Sequence, residues 1–295
     1  MPAKYDPTVF GSDIPRSRRQ LWQRRVATAV VWLLGLNRPT SLATEVVQAT
    51  RPVATIKTKY GRLYCRTGHG RLLWRARTFF TEEPETISWL DAIQAGDVLY
   101  DIGANVGLYA IYAAKFRKCR VFAFEPEAQN YALLMENVSL NDLRGRCLPA
   151  CLALARQTAI GRLRVRYLTK SGAYNLFRTK DGQTADTNSA GFDQLALGVS
   201  IDDLVGRYGL PAPTHLKIDV DGIEPEIIAG GLETISFVRS ILIELNAKSP
   251  NDLAVIDQLA KFGFKIKSSR SVWETKGDKT NAALMPAYNM IFERG

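Results

Sequence analysis

Along the middle of the chain, short apolar runs alternate with stretches of helical periodicity. Val98 to Ile102 (VLYDI) precedes a helical stretch from about Gly107 to Lys115, and Val121 to Phe124 (VFAF) precedes one from about Ala128 to Leu140. The alternation continues with strands near Cys147 to Leu152 and Arg162 to Leu168, a helix over Ser200 to Tyr208, and a strand at His215 to Val220. A helix from about Glu224 to Gly230, a strand at Ser240 to Leu245, a helix over Asp252 to Phe262, and strands near Lys265 to Ser268 and Asn289 to Glu293 complete it. Strands that are apolar throughout are covered on both faces, and strands separated by helices run parallel. The expected fold class is therefore α/β, a doubly wound, mostly parallel sheet. Ahead of it, Thr55 to Thr67 alternates as a hairpin around Tyr60-Gly61, and Pro84 to Ile93 reads as a helix whose opening acids suit its dipole. Lys170 to Gly198 is polar and rich in Gly, Thr, Asn and Asp, and reads as a long loop of the kind that forms a lid or binding element.

Composition excludes repeats, coiled coil and wholesale disorder: 46% of residues are hydrophobic and 23% charged, without low-complexity tracts. The net charge of +10 is unevenly placed. Residues 1–80 hold 15 basic and 3 acidic residues, whereas the remaining 215 hold 24 basic and 26 acidic. A basic front on a near-neutral body points to an anionic partner, such as a lipid headgroup, an acidic glycan or nucleic acid, with a solvated basic face as the alternative. Between Arg18 and Arg38 the uncharged run Val26 to Asn37 is 12 residues long, too short to span a bilayer, which takes about 20. As a helix it gathers Trp22, Val26, Ala29, Val30 and Leu33 on one face, to dock on the body or to lie in a membrane interface. The organisation expected is a basic helical arm over residues 1–50 and one domain over 51–295, with the hairpin at 55–67 and a catalytic core at 84–295. Cys65, Cys119, Cys147 and Cys151 lack paired C-x-x-C spacing and read as reduced, mostly buried thiols of a cytoplasmic protein.

In a doubly wound sheet, ligands bind beyond the carboxyl ends of the strands. There the sequence reads Asp101-Ile102-Gly103-Ala104-Asn105-Val106-Gly107, a G-x-x-x-G turn. It is neither the G-x-G-x-x-G of a dinucleotide site nor a phosphate loop, which removes nicotinamide chemistry. An acid before the turn repels phosphate and attracts an ammonium group. Glu125, 24 residues on at the end of the second strand, suits a pair of ribose hydroxyls. A cationic amino acid joined to a ribose describes S-adenosylmethionine. Export, which a signal-like Ser17-Arg18-Arg19 and Ser41-Leu42-Ala43 would imply, would separate the protein from that cofactor.

These residues, with VFAFEPEAQNYALLMENVSLN, Ser200-Ile201-Asp202-Asp203-Leu204 and HLKIDVDGIEPEIIAGG, resemble the FkbM family of class I S-adenosylmethionine-dependent methyltransferases over about Pro84 to Leu245. The resemblance implies a Rossmann-like fold. It implies that Asp101, Gly103, Asn105 and Gly107 contact the methionine end of the cofactor, that Glu125 holds the ribose and that Pro126 shapes its turn. Asn130, Asn137 and Asn141 match polar positions in the helix behind, Asn137 and Asn141 being open to a capping role. The activity implied is O-methylation of a sugar, glycan or natural product. An RNA methyltransferase using the basic arm, and a non-catalytic scaffold at a membrane surface, are the alternatives. Nucleic acid is not the expected partner, since neither an RNA-binding module nor an aromatic-basic stacking face is present.

A hydroxyl is a poor nucleophile, so a general base is expected beside it. On the fourth core strand, His215, Lys217, Asp219 and Asp221 share one side by the period of two. Asp219 is assigned as base or acceptor anchor and Lys217 as its orienting partner; a purely structural Lys–Asp pair is the other reading, and His215, at the far end of the strand, is discounted. Asp221, Glu224, Glu244, Asn246, Ser171 and Asn175 are expected to line the acceptor pocket. The family pattern carries Glu where Asp221 stands. Asp219, Asp221 and Glu224 offer hard oxygen ligands, but a divalent metal is not expected. His69 reads as a turn residue.

Overall fold

The computed structural model describes residues 18–33, 46, 50–68, 70–165, 175–179, 191–246, 248–271 and 287–295. Helix α1 (Arg18–Leu33) is followed by a hairpin of β1 (Val53–Thr58) and β2 (Gly61–Arg66), then by α2 (Gly70–Thr78) and α3 (Pro84–Ala92). The core runs β3 (Val98–Ile102), α4 (Leu108–Tyr112, continued by a π-helical turn over Ala113–Arg117), β4 (Arg120–Phe124), α5 (Ala128–Leu140) and β5 (Cys147–Ala150). After β6 (Ala153–Leu154), β7 (Ala159–Val165), β8 (Leu176–Arg178) and β9 (Phe192–Val199), it resumes with α6 (Ile201–Gly206), β10 (His215–Ile218) and α7 (Glu224–Ala229). It closes with β11 (Ser240–Asn246), α8 (Pro250–Lys261), β12 (Phe264–Ser271) and β13 (Ala287–Arg294).

The main sheet has the order β12-β13-β11-β10-β3-β4-β5. Neighbours from β11 to β5 pair in parallel, and β13 is antiparallel to both its partners. Strand side chains alternate between two apolar layers. Leu99, Val121, Ala123 and Leu242 pack with α3, α4 and α5 on one face, and Tyr100, Phe122, Leu216, Ile218 and Ile241 pack with α6, α7 and α8 on the other. Burial on both faces is why the strands read as continuous apolar runs.

The hairpin is fixed to the core by two asparagines, Asn137 in α5 and Asn141 at its C-terminal cap. Asn141 accepts from the Tyr64 amide (3.0 Å) and donates to its carbonyl (2.7 Å), while Asn137 accepts from the Arg66 amide (2.8 Å) and donates to the Val106 carbonyl (2.9 Å). Their amides thus complete an edge strand.

Two expectations are corrected and one element was not expected. The stretch from Lys170 to Gly198 is not one loop: β8 and β9 join β6 and β7 in a second sheet of order β6-β9-β7-β8. Phe177 lies across Gly161 and Gly198, where added Cβ atoms would meet its ring at 2.5 Å, so this sheet needs glycine on its inner face. Helix α2 carries no expectation from the sequence, its three arginines obscuring the apolar spacing of Leu72 and Ala76. The described positions of α1 are exposed, Trp22 to 65% and Leu33 to 75%, so its apolar residues do not dock on the body. Val31 and Trp32 are apolar as well, so this helix separates polarity end to end and presents no single stripe.

Candidate active site

Strand order reverses between β3 and β10, the place where an open α/β sheet leaves a crevice. The β3–α4 turn has positive φ at Gly103 (81°), Asn105 (52°) and Gly107 (82°). A Cβ on Gly103 would stand 2.0 Å from the Asp219 carbonyl oxygen, and one on Gly107 2.2 Å from Leu134. The glycines therefore let the turn press against the tip of β10 and against α5. The Gly103 and Ala104 amides both donate to the Phe124 carbonyl at 3.0 Å, tying the turn to the tip of β4.

Glu125, next along, is buried. It accepts from the Asn105 amide (2.8 Å) and the Glu127 amide (2.9 Å). Burial pushes its carboxyl up to about 7, against the pull of these amides and of Asn130. The Pro126 carbonyl accepts from Gln194 Nε2 at 2.6 Å, and the Ala128 amide donates to Gln194 Oε1 at 3.2 Å, so β9 grips the turn that carries Glu125.

Lys217 pairs in register with Asp101 and Leu242 on the sheet face covered by α4. Its Nζ donates to Asp219 at 2.7 Å, stands 3.8 Å from Asp101 and lies 5.3 Å from the Tyr109 ring centroid. Burial alone would neutralise a lysine here; Asp219, Asp101 and Glu83 outweigh it and hold it charged. Asp101 is also fully enclosed, and burial raises its pKa while Lys217 opposes the rise. Both its carboxylate oxygens are without a hydrogen-bond partner. The Asp219 side chain is 33% exposed against 2% for Lys217, so the pair meets the outside through Asp219. It opens into a cavity shared with Arg75, Glu82, the Gly103–Val106 turn and Tyr109. Glu83, at the start of α3, accepts from Thr86 Oγ1 at 3.0 Å. Burial and the charge of Asp219 push it up to about 7, against Lys217. Arg75, Glu82, Glu83 and Tyr109 escaped the sequence reading, which began the helix at Pro84.

Asp221 does not share the side of Asp219. The strand ends at Ile218, the alternation ends with it, and Gly222 turns the chain at φ 98°. Asp221 is exposed, accepts from the Asn175 amide at 2.8 Å, and lines a second cavity with Arg156, Phe177, Arg178 and Glu226. Asn175 and Asp221 are thus brought together, apart from Asp219. Glu224 is buried in α7; burial raises it well above the carboxylate range and the nearby Glu244 adds to the rise. Asn246 binds within its own turn, accepting from the Lys248 amide (2.9 Å) and donating its amide to Asp252 (2.8 Å). Ser171 and His69 lie outside the described residues. Among the described residues no group of three or more His, Cys, Asp or Glu is placed to hold a metal ion.

His215 belongs to the opposite end of the sheet. Its ring nitrogens contact Asp97 (2.9 Å) and Ser240 Oγ (2.7 Å), and Ser240 also accepts from Trp89 Nε1 (2.9 Å). Burial lowers its pKa while Asp97 opposes. All four cysteines are free; Cys151 is exposed and the other three are buried.

A mostly parallel sheet of this order, with acids at two adjacent strand tips beside its switch point, defines a Rossmann-like domain of the class I methyltransferase type. The chain belongs to the FkbM methyltransferase family, whose model, "Methyltransferase FkbM domain", matches residues 101–266. It is 26% identical over 195 residues to the hexuronic acid methyltransferase AglP of Haloferax volcanii, covering 66% of this chain and 75% of that one. It is 24% identical over 200 residues to the 31-O-demethyl-FK506 methyltransferase FkbM of Streptomyces tacrolimicus, covering 60% of this chain and 75% of that one. Among solved structures, a tRNA m1G37 methyltransferase of M. jannaschii aligns with 83% of this chain and 55% of its own at 14% identity and a TM-score of 0.45.

Proposed function

We propose that the protein is an S-adenosylmethionine-dependent O-methyltransferase acting on a hydroxyl of a sugar, glycan or natural product. The observation that carries this reading is the Lys217–Asp219 pair, a buried ammonium holding a partly exposed carboxylate at the switch point of the sheet. The residues present fit the cofactor. Asp101 offers two carboxylate oxygens without a hydrogen-bond partner, for which an ammonium is the natural match, and Glu125 sits at the adjacent tip, where ribose hydroxyls donate to a carboxylate. Bound there, S-adenosylmethionine supplies a methyl group on a positively charged sulfur.

The chain's own residues do the rest. Asp219 accepts the proton of the acceptor hydroxyl at its carboxylate, a contribution of about 10² to 10⁴ in rate. Lys217 fixes the orientation of that carboxylate. Glu125 holds the ribose and the turn from Gly103 to Gly107 the amino-acid end, and correct placement of two reactants is worth more than the base itself. The acceptor meets Asp219 in the cavity, and its remainder can reach Asp221 and Asn175 across the β10–α7 turn, with Glu224, Glu244 and Asn246 behind. The names of the two relatives give a hexuronic acid and a 31-O-demethyl compound as acceptors, which supports an oxygen nucleophile on a polyhydroxylated molecule. The basic arm is assigned an anionic membrane surface as its partner.

Calorimetric titration with S-adenosylmethionine and with NAD⁺ tests the cofactor. Wild type is expected to bind only the first, and Asp101→Ala to lose it; binding of NAD⁺ instead defeats the reading. With uronic-acid glycosides as acceptors, Asp219→Asn is expected to keep cofactor affinity and lose turnover. Unchanged turnover removes Asp219 from the chemistry.

A further inference from the structure

One charged group in the cavity has no part in the account above. On α2, Leu72 and Ala76 face the core, and Arg75 stands between them in sequence, leaning along the buried side of the helix. Of the three arginines of this helix, Arg77 is exposed and Arg71 half-buried; Arg75 is half-buried and lines the cavity with the Gly103–Val106 turn, Tyr109, Lys217 and Asp219. Its Nε is enclosed and has no hydrogen-bond partner. Glu82 lines the same cavity and accepts from Thr78 Oγ1 at 3.3 Å. A guanidinium is always charged and carries five N–H donors, so enclosing part of it without an acceptor is unfavourable unless a ligand brings one.

We propose that Arg75 receives the carboxylate of a bound ligand. A planar monoanion matches the guanidinium fork. A phosphate dianion, with twice the charge, is disfavoured more strongly by the acids that line the same space, Asp219 and Glu82, and by Glu83, which interacts with both. The favoured source is the α-carboxylate at the amino-acid end of S-adenosylmethionine, and in that form the inference rests on the cofactor reading above. The turn assigned to the amino-acid end lines the same cavity, and an α-amino acid pairs an anion with a cation, as the cavity pairs Arg75 with acids. The second source of the same chemistry is the carboxylate of an acidic sugar acceptor.

Calorimetry on the full chain separates the sources by comparing S-adenosylmethionine with its decarboxylated analogue, which keeps the sulfonium, the amine and the nucleoside. A hydrogen-bonded charge pair corresponds to about 10- to 100-fold in affinity. Wild type is expected to prefer the intact cofactor by that factor. Arg75→Leu is expected to lose the preference by weakening only the intact cofactor, and Arg75→Lys to recover part of it. If Arg75→Leu leaves both nucleosides unchanged but abolishes binding of glucuronate followed by ligand-observed NMR, the carboxylate is the acceptor's. Equal weakening of both nucleosides, or no change in any of the three ligands, overturns the assignment. Failure of wild type to bind either nucleoside defeats the cofactor reading instead, and the glucuronate titration then decides Arg75. Since Arg75→Leu deletes a group with an unmatched donor, its unliganded melting temperature is expected to equal or exceed that of wild type.

Discussion

Lys217 shows how the site is held. An ammonium with 2% of its side chain exposed would cost several kcal/mol if it stood alone, and the carboxylates around it offset that cost. The same economy of burial governs Glu125, whose carboxyl is raised from 4.5 to about 7. Between those values the folded chain holds a proton that the unfolded chain has released, so the contribution of Glu125 to stability is full at low pH and falls as pH rises toward 7. Nucleoside binding has the opposite sign, because the ionised carboxylate is the better acceptor for ribose hydroxyls. Affinity is therefore expected to weaken as pH drops below about 7, approaching tenfold per pH unit, and to lose this dependence in Glu125→Gln. Titration calorimetry between about pH 5.5 and 8 checks it; a flat wild-type profile counts against the role of Glu125. At this scale the sequence was legible wherever a strand carried the residue. Alternation put Lys217 and Asp219 together, and it misplaced Asp221 because the strand stops at Ile218. Arg75 and Glu83 were illegible: they come from helices ahead of the core, and nothing local says which crevice a helix end will reach.

Among the elements, the core strands and helices read clearly because burial on both faces leaves an unmistakable apolar run. The second sheet read only in part: β7, with Leu163 and Val165 buried, overlaps the strand expected near Arg162 to Leu168, whereas β9 escaped because Gln194, Ala196 and Gly198 form its inner side while Leu195 and Leu197 point outward, 75% and 41% exposed. That inverts the pattern by which a strand is recognised. Asn137 and Asn141 are a second case: polar positions that resemble ligand contacts are spent on the hairpin edge. Asn141→Ala is expected to cost about 2 to 4 kcal/mol by leaving the Tyr64 amide and carbonyl unmatched, with nucleoside affinity preserved. Urea unfolding measures the first and calorimetry the second. Lost affinity at unchanged stability would return Asn141 to the cofactor site.

At the scale of the whole molecule, charge and hydrophobic pattern meet in the first helix. No helix among the described residues is long and apolar enough to cross a membrane. Yet α1 carries Arg18, Arg19, Arg24 and Arg25 in its first half and exposed Val30, Val31, Trp32 and Leu33 in its second. An anionic bilayer surface matches both halves, arginines at the headgroups and the apolar end below them. The full chain is expected to co-float with vesicles containing phosphatidylglycerol, to ignore purely phosphatidylcholine vesicles, and to be released by salt on the scale of a Debye length. Trp32→Glu is expected to abolish flotation with the rest of the protein unaffected. Equal binding to neutral vesicles would discard electrostatics as the cause.

The grip of Gln194 on the Pro126 carbonyl and the Ala128 amide links the second sheet to the turn that carries Glu125, beside the Asn175–Asp221 contact that joins it to the tip of β10. Loosening the Gln194 contact is therefore expected to loosen the turn that carries Glu125 and to shorten the residence time of a nucleoside held there. In stopped-flow experiments Gln194→Ala is expected to hasten dissociation about tenfold and to leave association nearly unchanged. Such a result would place part of the control of release in Gln194, on a strand of the second sheet rather than in the β3–α4 turn.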